Sequence, residues 1–178
     1  MTGSHGERPR RHWPNAALPM VAGISKDQAA AFAVLRRPQV AGDQLPEDRW
    51  PALEGGMIGR LGLNPALARR VTTEAGDVWV IPGNGFICHL DDNGMGCNST
   101  PTAVTKGLVG WGSGHPHDKT IVSGVVPDGV NQVTLISKRG MIKVVPVHDN
   151  VYGALLDGFL TSVRFSGRSG EVVLGPWS

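Results

Sequence analysis

The chain lacks the features that identify several large classes of protein. It has no run of 18 apolar residues, so no segment is predicted to cross a membrane. Its two cysteines do not form a Cys-x-x-Cys pair, and no Gly-x-Ser-x-Gly motif or phosphate-binding glycine loop is present. These absences argue against a dithiol oxidoreductase, an esterase with a nucleophile elbow and a nucleotide-binding protein.

Charge is also scarce in this chain. Charged residues make up 18% of the sequence, the net charge is +2, and the arginine clusters at 8–11, 36–37 and 69–70 are short and scattered. A nucleic-acid-binding domain normally concentrates its basic residues on one face, so we expect no nucleic-acid partner. Low charge with many glycines is more typical of extracytoplasmic β-proteins. Prolines interrupt the first apolar stretch, so we expect that any export signal is not present in this chain.

Turn-forming residues are abundant, with 25 glycines and 13 prolines. Residues 1–24 are rich in proline and are predicted to form a flexible arm. In residues 25–75 we expect short helices and loops packed on a sheet. Ser25 and Gln28 form a capping box that predicts a helix of about 11 residues ending before Pro38, with Phe32 and Leu35 facing inward.

The same 25–75 region contains a second helix signal at Asn64-Pro65. Asn64 is a good cap and proline is favoured at the first helical position, which predicts a short helix there. Arg69 and Arg70 would then lie near its C-terminal end, where positive charge is favourable.

Residues 76–178 alternate β-forming runs with tight turns and are predicted to form an antiparallel β-domain. The clearest hairpin joins 78–81 to 86–90 through Pro-Gly-Asn-Gly. Further strands are predicted at 95–98, 104–111, 120–126, 130–137, 141–147, 161–165 and 171–174. This spacing is typical of a mainly β fold, an antiparallel β-sandwich or a partly open barrel, with one or two short N-terminal helices.

Cys88 and Cys97 are nine positions apart, on either side of a predicted turn. In an oxidising compartment such a pair forms a disulfide, and closing so short a loop stabilises the fold by about 2.7 kcal/mol in the chain-entropy treatment. Two buried free thiols and half of a metal site are the alternatives. A zinc site would need further ligands at suitable spacing.

Several segments together carry a resemblance to a known group of proteins. They are GLNPALARR at 62–70, VWVIPG at 78–83, the two cysteines, VPDGV at 126–130 and DNVY at 149–152. Over roughly residues 30–174 the chain resembles uncharacterised exported or lipid-anchored proteins of high-GC Gram-positive (actinobacterial) bacteria. The resemblance implies an extracytoplasmic setting and no known activity.

The segment Ser113-Gly-His-Pro-His-Asp118 is the most suggestive polar cluster. His115, His117 and Asp118 offer imidazole and carboxylate ligands that suit a divalent metal. Such a site would also need His89 or His148 to converge on it. The alternative is a solvated turn with no metal.

Tryptophan and acidic residues supply the candidate binding groups. Exposed Trp79 and Trp111 would stack on sugar rings or anchor a protein partner, whereas buried ones would belong to the core. Asp91 and Asp92 lie in the predicted turn between the cysteines. As neighbours they would point apart, which argues against paired carboxylates for glycoside cleavage.

These features favour a non-catalytic, secreted or envelope-anchored β-domain. We expect a binding or structural module of the cell envelope, with no cofactor and with a protein or a cell-wall glycan as partner. One alternative is a metal-assisted hydrolase built on His115, His117 and Asp118. A second alternative is an inhibitor-like protein that presents the Cys88–Cys97 loop to a target enzyme.

Overall fold

The computed structural model describes residues 23–52, 57–113 and 119–177. The helices are α1 (Lys26–Ala31), α2 (Ala33–Arg36), α3 (Met57–Leu61) and α4 (Thr100–Lys106), with 3-10 turns at Glu47–Ala52 and Pro65–Leu67. The strands are β1 (Arg69–Thr73), β2 (Gly76–Pro82), β3 (Phe86–Asp91), β4 (Gly94–Ser99), β5 (Leu108–Ser113), β6 (Lys119–Val125), β7 (Gln132–Ser137), β8 (Ile142–Pro146), β9 (Val151–Asp157), β10 (Leu160–Gly167) and β11 (Gly170–Leu174).

The strands form three antiparallel sheets in the described part of the chain. Their strand orders are β1-β2-β3-β4, β5-β6-β9 and β11-β10-β7-β8. The sheets do not close into a barrel, and the fold is consistent with the predicted β-sandwich. The predicted hairpin is confirmed, since Trp79 to Pro82 pair with Leu90 to Ile87.

The β5-β6-β9 sheet is the middle layer, and its two faces contribute to different cores. On β9, Val151 packs with residues of the β1–β4 sheet, whereas Tyr152 and Ala154 pack with residues of the β7-β8-β10-β11 sheet. On β6, Val125 belongs to the first core and Val122 to the second. Alternating directions of side chains along a strand place both cores around this one sheet.

The predicted first helix is broken at Phe32, which separates α1 from α2. The capping box of Ser25 and Gln28 is present, but Phe32 has extended backbone angles (φ −132°, ψ 104°). Distant side chains cause the break. Asp128 accepts a hydrogen bond from the amide of Ala33 (2.7 Å), and Asn150 accepts one from the amide of Val34 (2.9 Å). The side-chain oxygens of Asp128 and Asn150 thus cap the N-terminus of α2. A second helix therefore begins at Ala33, where the sequence predicted that the first helix would continue.

Two other expectations about local structure are wrong. Arg69 and Arg70 begin strand β1 and do not end a helix, because the residues from Arg69 to Thr73 pair with β2. The predicted strand at 104–111 is divided between two elements. Thr100–Lys106 is helix α4, capped by Ser99, and the strand begins only at Leu108.

Two buried polar side chains tie the N-terminal helices to the sheet. The Gln28 amide donates to the carbonyls of Gly83 (2.9 Å) and Phe86 (2.8 Å). The Asp43 carboxylate, 1% exposed, accepts two hydrogen bonds from the Arg37 guanidinium (2.7 and 2.8 Å) and one from the amide of Arg70. These bonds hold the pKa of Asp43 well below its usual range.

Candidate functional site

The candidate site lies where two sheets meet along their edge strands. β4 is an edge of the first sheet and β5 is an edge of the middle sheet. Asn98 of β4 donates from its amide nitrogen to the carbonyl of Gly107, just before β5 (2.8 Å). Further along, Gly96 of β4 and Gly110 of β5 both contact the ring of His89. We call residues 94–98 and 107–112 the seam.

The imidazole of His89 fills the space between the two glycines of the seam. His89 is 1% exposed and projects from β3. A Cβ atom at Gly96 would lie 2.6 Å from Cε1 of His89, and one at Gly110 would lie 2.6 Å from Nε2. Both distances are shorter than a carbon atom tolerates. The seam therefore holds a large side chain only because both strands have glycine at the point of contact.

The charge state of His89 follows from its surroundings. Burial lowers the pKa of His89, and the negative charge of Asp91 offsets only part of that effect. The ring is therefore neutral at pH 7. Its Nδ1 atom is buried, and no group of the described residues hydrogen-bonds to it. An unpartnered nitrogen in the interior costs free energy, so the position is unusual for a purely structural side chain.

Asp91 fixes the turn between β3 and β4 and links it to the middle sheet. One carboxylate oxygen accepts hydrogen bonds from the amides of Asn93 (2.8 Å) and Gly94 (3.1 Å). The other accepts a hydrogen bond from the hydroxyl of Ser123 on β6 (2.6 Å). Asp91 is 7% exposed and Ser123 is fully buried. The carboxylate thus positions the turn and joins two layers of the fold.

His89, Asp91 and Ser123 are the residue types of a hydrolytic triad, but their connections differ from those of a triad. Nucleophilic catalysis needs the serine hydroxyl to donate to the imidazole, which then takes its proton. Here the Ser123 hydroxyl donates to the carboxylate. The hydroxyl proton therefore points to Asp91 and not to the imidazole, and Ser123 has no solvent-exposed surface. The arrangement stabilises the junction of the sheets and does not form an acyl-transfer site.

Two cavities open along the seam, and Trp111 lines both. The first has a volume of about 230 Å³, and its lining includes His89, Asp91, Asn93, Gly96, Gly110 and Trp111. The second has a volume of about 430 Å³, and its lining includes Cys97, Asn98, Thr102, Lys106, Trp111 and Trp177. We call the two cavities and the indole that lines both of them the groove.

Trp111 is the aromatic centre of the groove. Its side chain is 43% exposed, although it lies on a strand of the middle sheet. The ring centroid of Trp177 is 4.6 Å away, with 39° between the ring planes. Contact with a second indole holds Trp111 in place while part of its surface remains open to solvent. A supported, half-exposed aromatic ring is suited to binding a ligand.

The other predicted site residues have different environments. Cys88 and Cys97 form the predicted disulfide, with paired positions on β3 and β4. Trp79 is 4% exposed, and the guanidinium carbon of Arg49 lies 5.4 Å from its ring centroid. Trp79 therefore belongs to the core, and only Trp111 of the two tryptophans is open to a ligand. The exposed Asp92 carboxylate pairs with Arg49 (2.6 Å).

The predicted metal ligands His115, His117 and Asp118 lie outside the described residues. Within 23–52, 57–113 and 119–177, no three His, Cys, Asp or Glu side chains are grouped closely enough to hold a metal ion. The metal site at 115–118 therefore stays a prediction.

Sequence reasoning missed His89 as the central buried residue and Trp177 as the partner of Trp111. A signal for the first was present. Glycines alternate with other residues in Gly94-Met-Gly96 and again in Gly110-Trp-Gly112. Alternate glycines leave one face of a strand without side chains, which indicates that a large group packs against that face.

Comparisons with protein-family models, with curated protein sequences and with solved structures find no match for this chain. In the part of the chain that the structure describes, no helix is long and apolar enough to span a bilayer. The function must therefore be inferred from the groove, the disulfide and the surface.

Proposed function

We propose that this protein is a non-catalytic binding domain of the cell envelope that holds a glycan in the groove. The observation that carries the proposal is Trp111, which is 43% exposed, is supported by Trp177 and lines two cavities. Ligand sites are typically concave, with apolar walls and a few fixed polar groups. The groove combines these properties.

The chemistry of the groove matches a sugar better than a purely apolar ligand. The carbon face of a pyranose ring stacks on an indole, and its hydroxyl groups need donors and acceptors at the rim. Asn93 lines the first cavity, whereas Thr102 and Lys106 line the second. These are a carboxamide, a hydroxyl and an ammonium group. A chain of sugars would thus find polar groups in both cavities that the stacking ring lines.

The disulfide supports a location outside the cytoplasm. Disulfides persist in oxidising compartments and are rare in the cytosol. Cys88 and Cys97 face each other across β3 and β4 with their Cα atoms 4.1 Å apart. This separation is close to that of directly opposed residues in a non-hydrogen-bonded antiparallel pair, so the bridge fits the sheet as it stands. The resemblance to exported proteins of high-GC Gram-positive bacteria agrees with this location.

The connections of His89, Asp91 and Ser123 support a binding role over a hydrolytic one. The Ser123 hydroxyl bonds to Asp91 and is buried. The Asp91 carboxylate accepts three hydrogen bonds within the protein. A carboxylate so occupied is a poor general base. Asp92, Asn93 and Gly94 at the tip of the Cys88–Cys97 loop are exposed, so the inhibitor alternative stays a prediction.

Binding to soluble cell-wall glycan fragments, measured by titration calorimetry, tests the proposal. We expect Trp111→Ala to weaken binding by about tenfold, the value of one aromatic stacking contact, and Trp111→Phe to weaken it less. Phe159→Ala is the matched control, because Phe159 is 71% exposed and lies outside the groove. Equal affinity of Trp111→Ala and the native protein, or no binding to any cell-wall glycan, would refute the proposal.

The same experiment distinguishes the hydrolase alternative. Glycan fragments recovered after incubation should be unchanged in length. Shortened fragments that disappear in His117→Ala would favour the metal-assisted hydrolase instead.

A further inference from the structure

Two turns lie side by side at one end of the middle and outer sheets. The turn between β7 and β8 is closed by a hydrogen bond from the amide of Gly140 to the carbonyl of Ser137 (2.9 Å). The turn between β9 and β10 is joined to it, because the amide of Lys138 donates to the carbonyl of Phe159 (2.8 Å). The methylene chain of Arg139 also lies close to Gly158. We call residues 138–142 and 158–159 the paired turns.

The paired turns expose an unusual amount of large apolar surface. Phe159 is 71% exposed, Ile142 is 68% exposed and Met141 is 47% exposed. Val144 is 54% exposed and is two positions after Ile142 on β8, so it lies on the same face of the strand. Single exposed apolar residues are common on protein surfaces, but adjacent ones usually mark a contact surface.

The charge of the paired turns is positive. Lys138 and Arg139 are exposed, and neither has an ion-pair partner among the described residues. The two nearby acidic residues are already paired. Asp157 lies 3.5 Å from Lys119, and Glu74 lies 2.7 Å from Lys143. Two cations without an ion-pair partner in the described part of the chain therefore flank the exposed apolar side chains.

We propose that the paired turns dock on the surface of an anionic phospholipid bilayer. Apolar side chains at the apex of a turn can enter the boundary between headgroups and acyl chains, where part of their surface leaves water. Lys138 and Arg139 would then lie at the level of the lipid phosphates and be attracted to the negative surface. The combination of exposed phenyl, thioether and alkyl groups with two unpaired cations fits a lipid surface, which offers both an apolar interior and anionic headgroups.

Flotation with lipid vesicles tests this inference. The full chain is mixed with vesicles of phosphatidylcholine alone or with about 30% phosphatidylglycerol, at low and high salt. We expect binding only to the anionic vesicles, and weaker binding at high salt because the charges are screened. Phe159→Ser should lower the partition coefficient by about tenfold, since one aromatic side chain no longer leaves water. The pair Lys138→Gln and Arg139→Gln should lower it by about fivefold per residue.

Val40→Ser is the matched control, because Val40 is 62% exposed and lies far along the chain from the paired turns. It should bind the vesicles as the native protein does. Sedimentation without lipid is measured in parallel. Failure to bind anionic vesicles, binding that survives both sets of changes, or self-association that Phe159→Ser abolishes would overturn the inference. A Trp111→Ala variant should float normally, which separates docking on lipid from binding in the groove.

Discussion

Adding one methyl group at Gly110 should destabilise the whole domain, because the seam has no room for it. The new Cβ atom would lie 2.6 Å from Nε2 and 3.2 Å from Cε1 of His89. The imidazole has little room to retreat, because it is 1% exposed and is packed so closely against Gly96 that a Cβ atom there would also lie only 2.6 Å from Cε1. Either the ring or the β5 backbone must shift.

Overpacking of this kind typically costs about 1–3 kcal/mol, so we expect Gly110→Ala to lower the free energy of unfolding by about 2 kcal/mol. In a domain of this size the melting temperature should fall by about 6 °C. Gly59→Ala is the matched control. Nothing lies within 4 Å of the position that its Cβ atom would occupy, and Gly59 is inside α3. Alanine is the better helix former, so this variant should be as stable as the native protein or slightly more stable.

A double-mutant cycle with His89→Ala identifies the cause, measured by urea unfolding followed by tryptophan fluorescence. Without the imidazole, the methyl group at position 110 has space, so Gly110→Ala should cost at least 1 kcal/mol less in the His89→Ala background, within the range known for contacting residues. The same cost in both backgrounds would refute the interpretation of the seam.

Three further predictions follow from buried groups. The folded-state pKa of His89 lies below its ordinary value of 6.5, so the unfolded chain takes up the proton first and stability falls as the pH drops below about 6.5. Urea unfolding at pH 7.5 and 5.5 measures how much stability is lost between the two pH values. This loss should be smaller in His89→Gln than in the native protein, and an identical loss in both would contradict the prediction. Replacing Cys88 and Cys97 by alanine should cost about 2.7 kcal/mol and lower the melting temperature by about 8 °C, measured by calorimetry. Asp43→Asn should cost about 2 kcal/mol in urea unfolding, because the partly buried Arg37 loses its bidentate partner and keeps Asp149 at 3.3 Å; a change below about 0.5 kcal/mol would show that the pair contributes little.

The hairpins could be predicted because their signals are local. Pro82-Gly-Asn-Gly85 lies between two β-forming runs, and this pattern alone specifies the turn and the pairing of β2 with β3. The same holds for the turn at Gly167 to Gly170, which joins β10 to β11.

Strand β1 could not be predicted in this way because tertiary contacts decide its structure. Arg69 is 6% exposed, and its guanidinium donates to the backbone carbonyls of Arg37 and Leu67. In the sequence, an arginine whose guanidinium bonds to backbone carbonyls of other segments looks the same as one at the C-terminal end of a helix. Helix α4 was misread for a different reason. Its threonines and valine favour strands, and the cap at Ser99 and the left-handed Gly107 (φ 66°) outweigh them.

The candidate site depends on contacts that are distant in sequence. Trp111 was identified from its residue type, but its support by Trp177 requires the C-terminal residues to fold back onto β5. The burial of His89 requires two edge strands from different sheets to present glycine at one point. No short pattern encodes either arrangement, although the alternate glycines indicate where one would form.

The capping of α2 has a consequence for the order of events during synthesis. The first free amides of this helix bond to Asp128 and Asn150, whose side chains also bond to each other (2.9 Å). A nascent chain that has not yet released residue 150 from the ribosome lacks the side chain that caps Val34, and water must satisfy that amide. Residues 34 and 150 are 116 positions apart, and closing so long a loop favours a late, cooperative step in the folding of this domain.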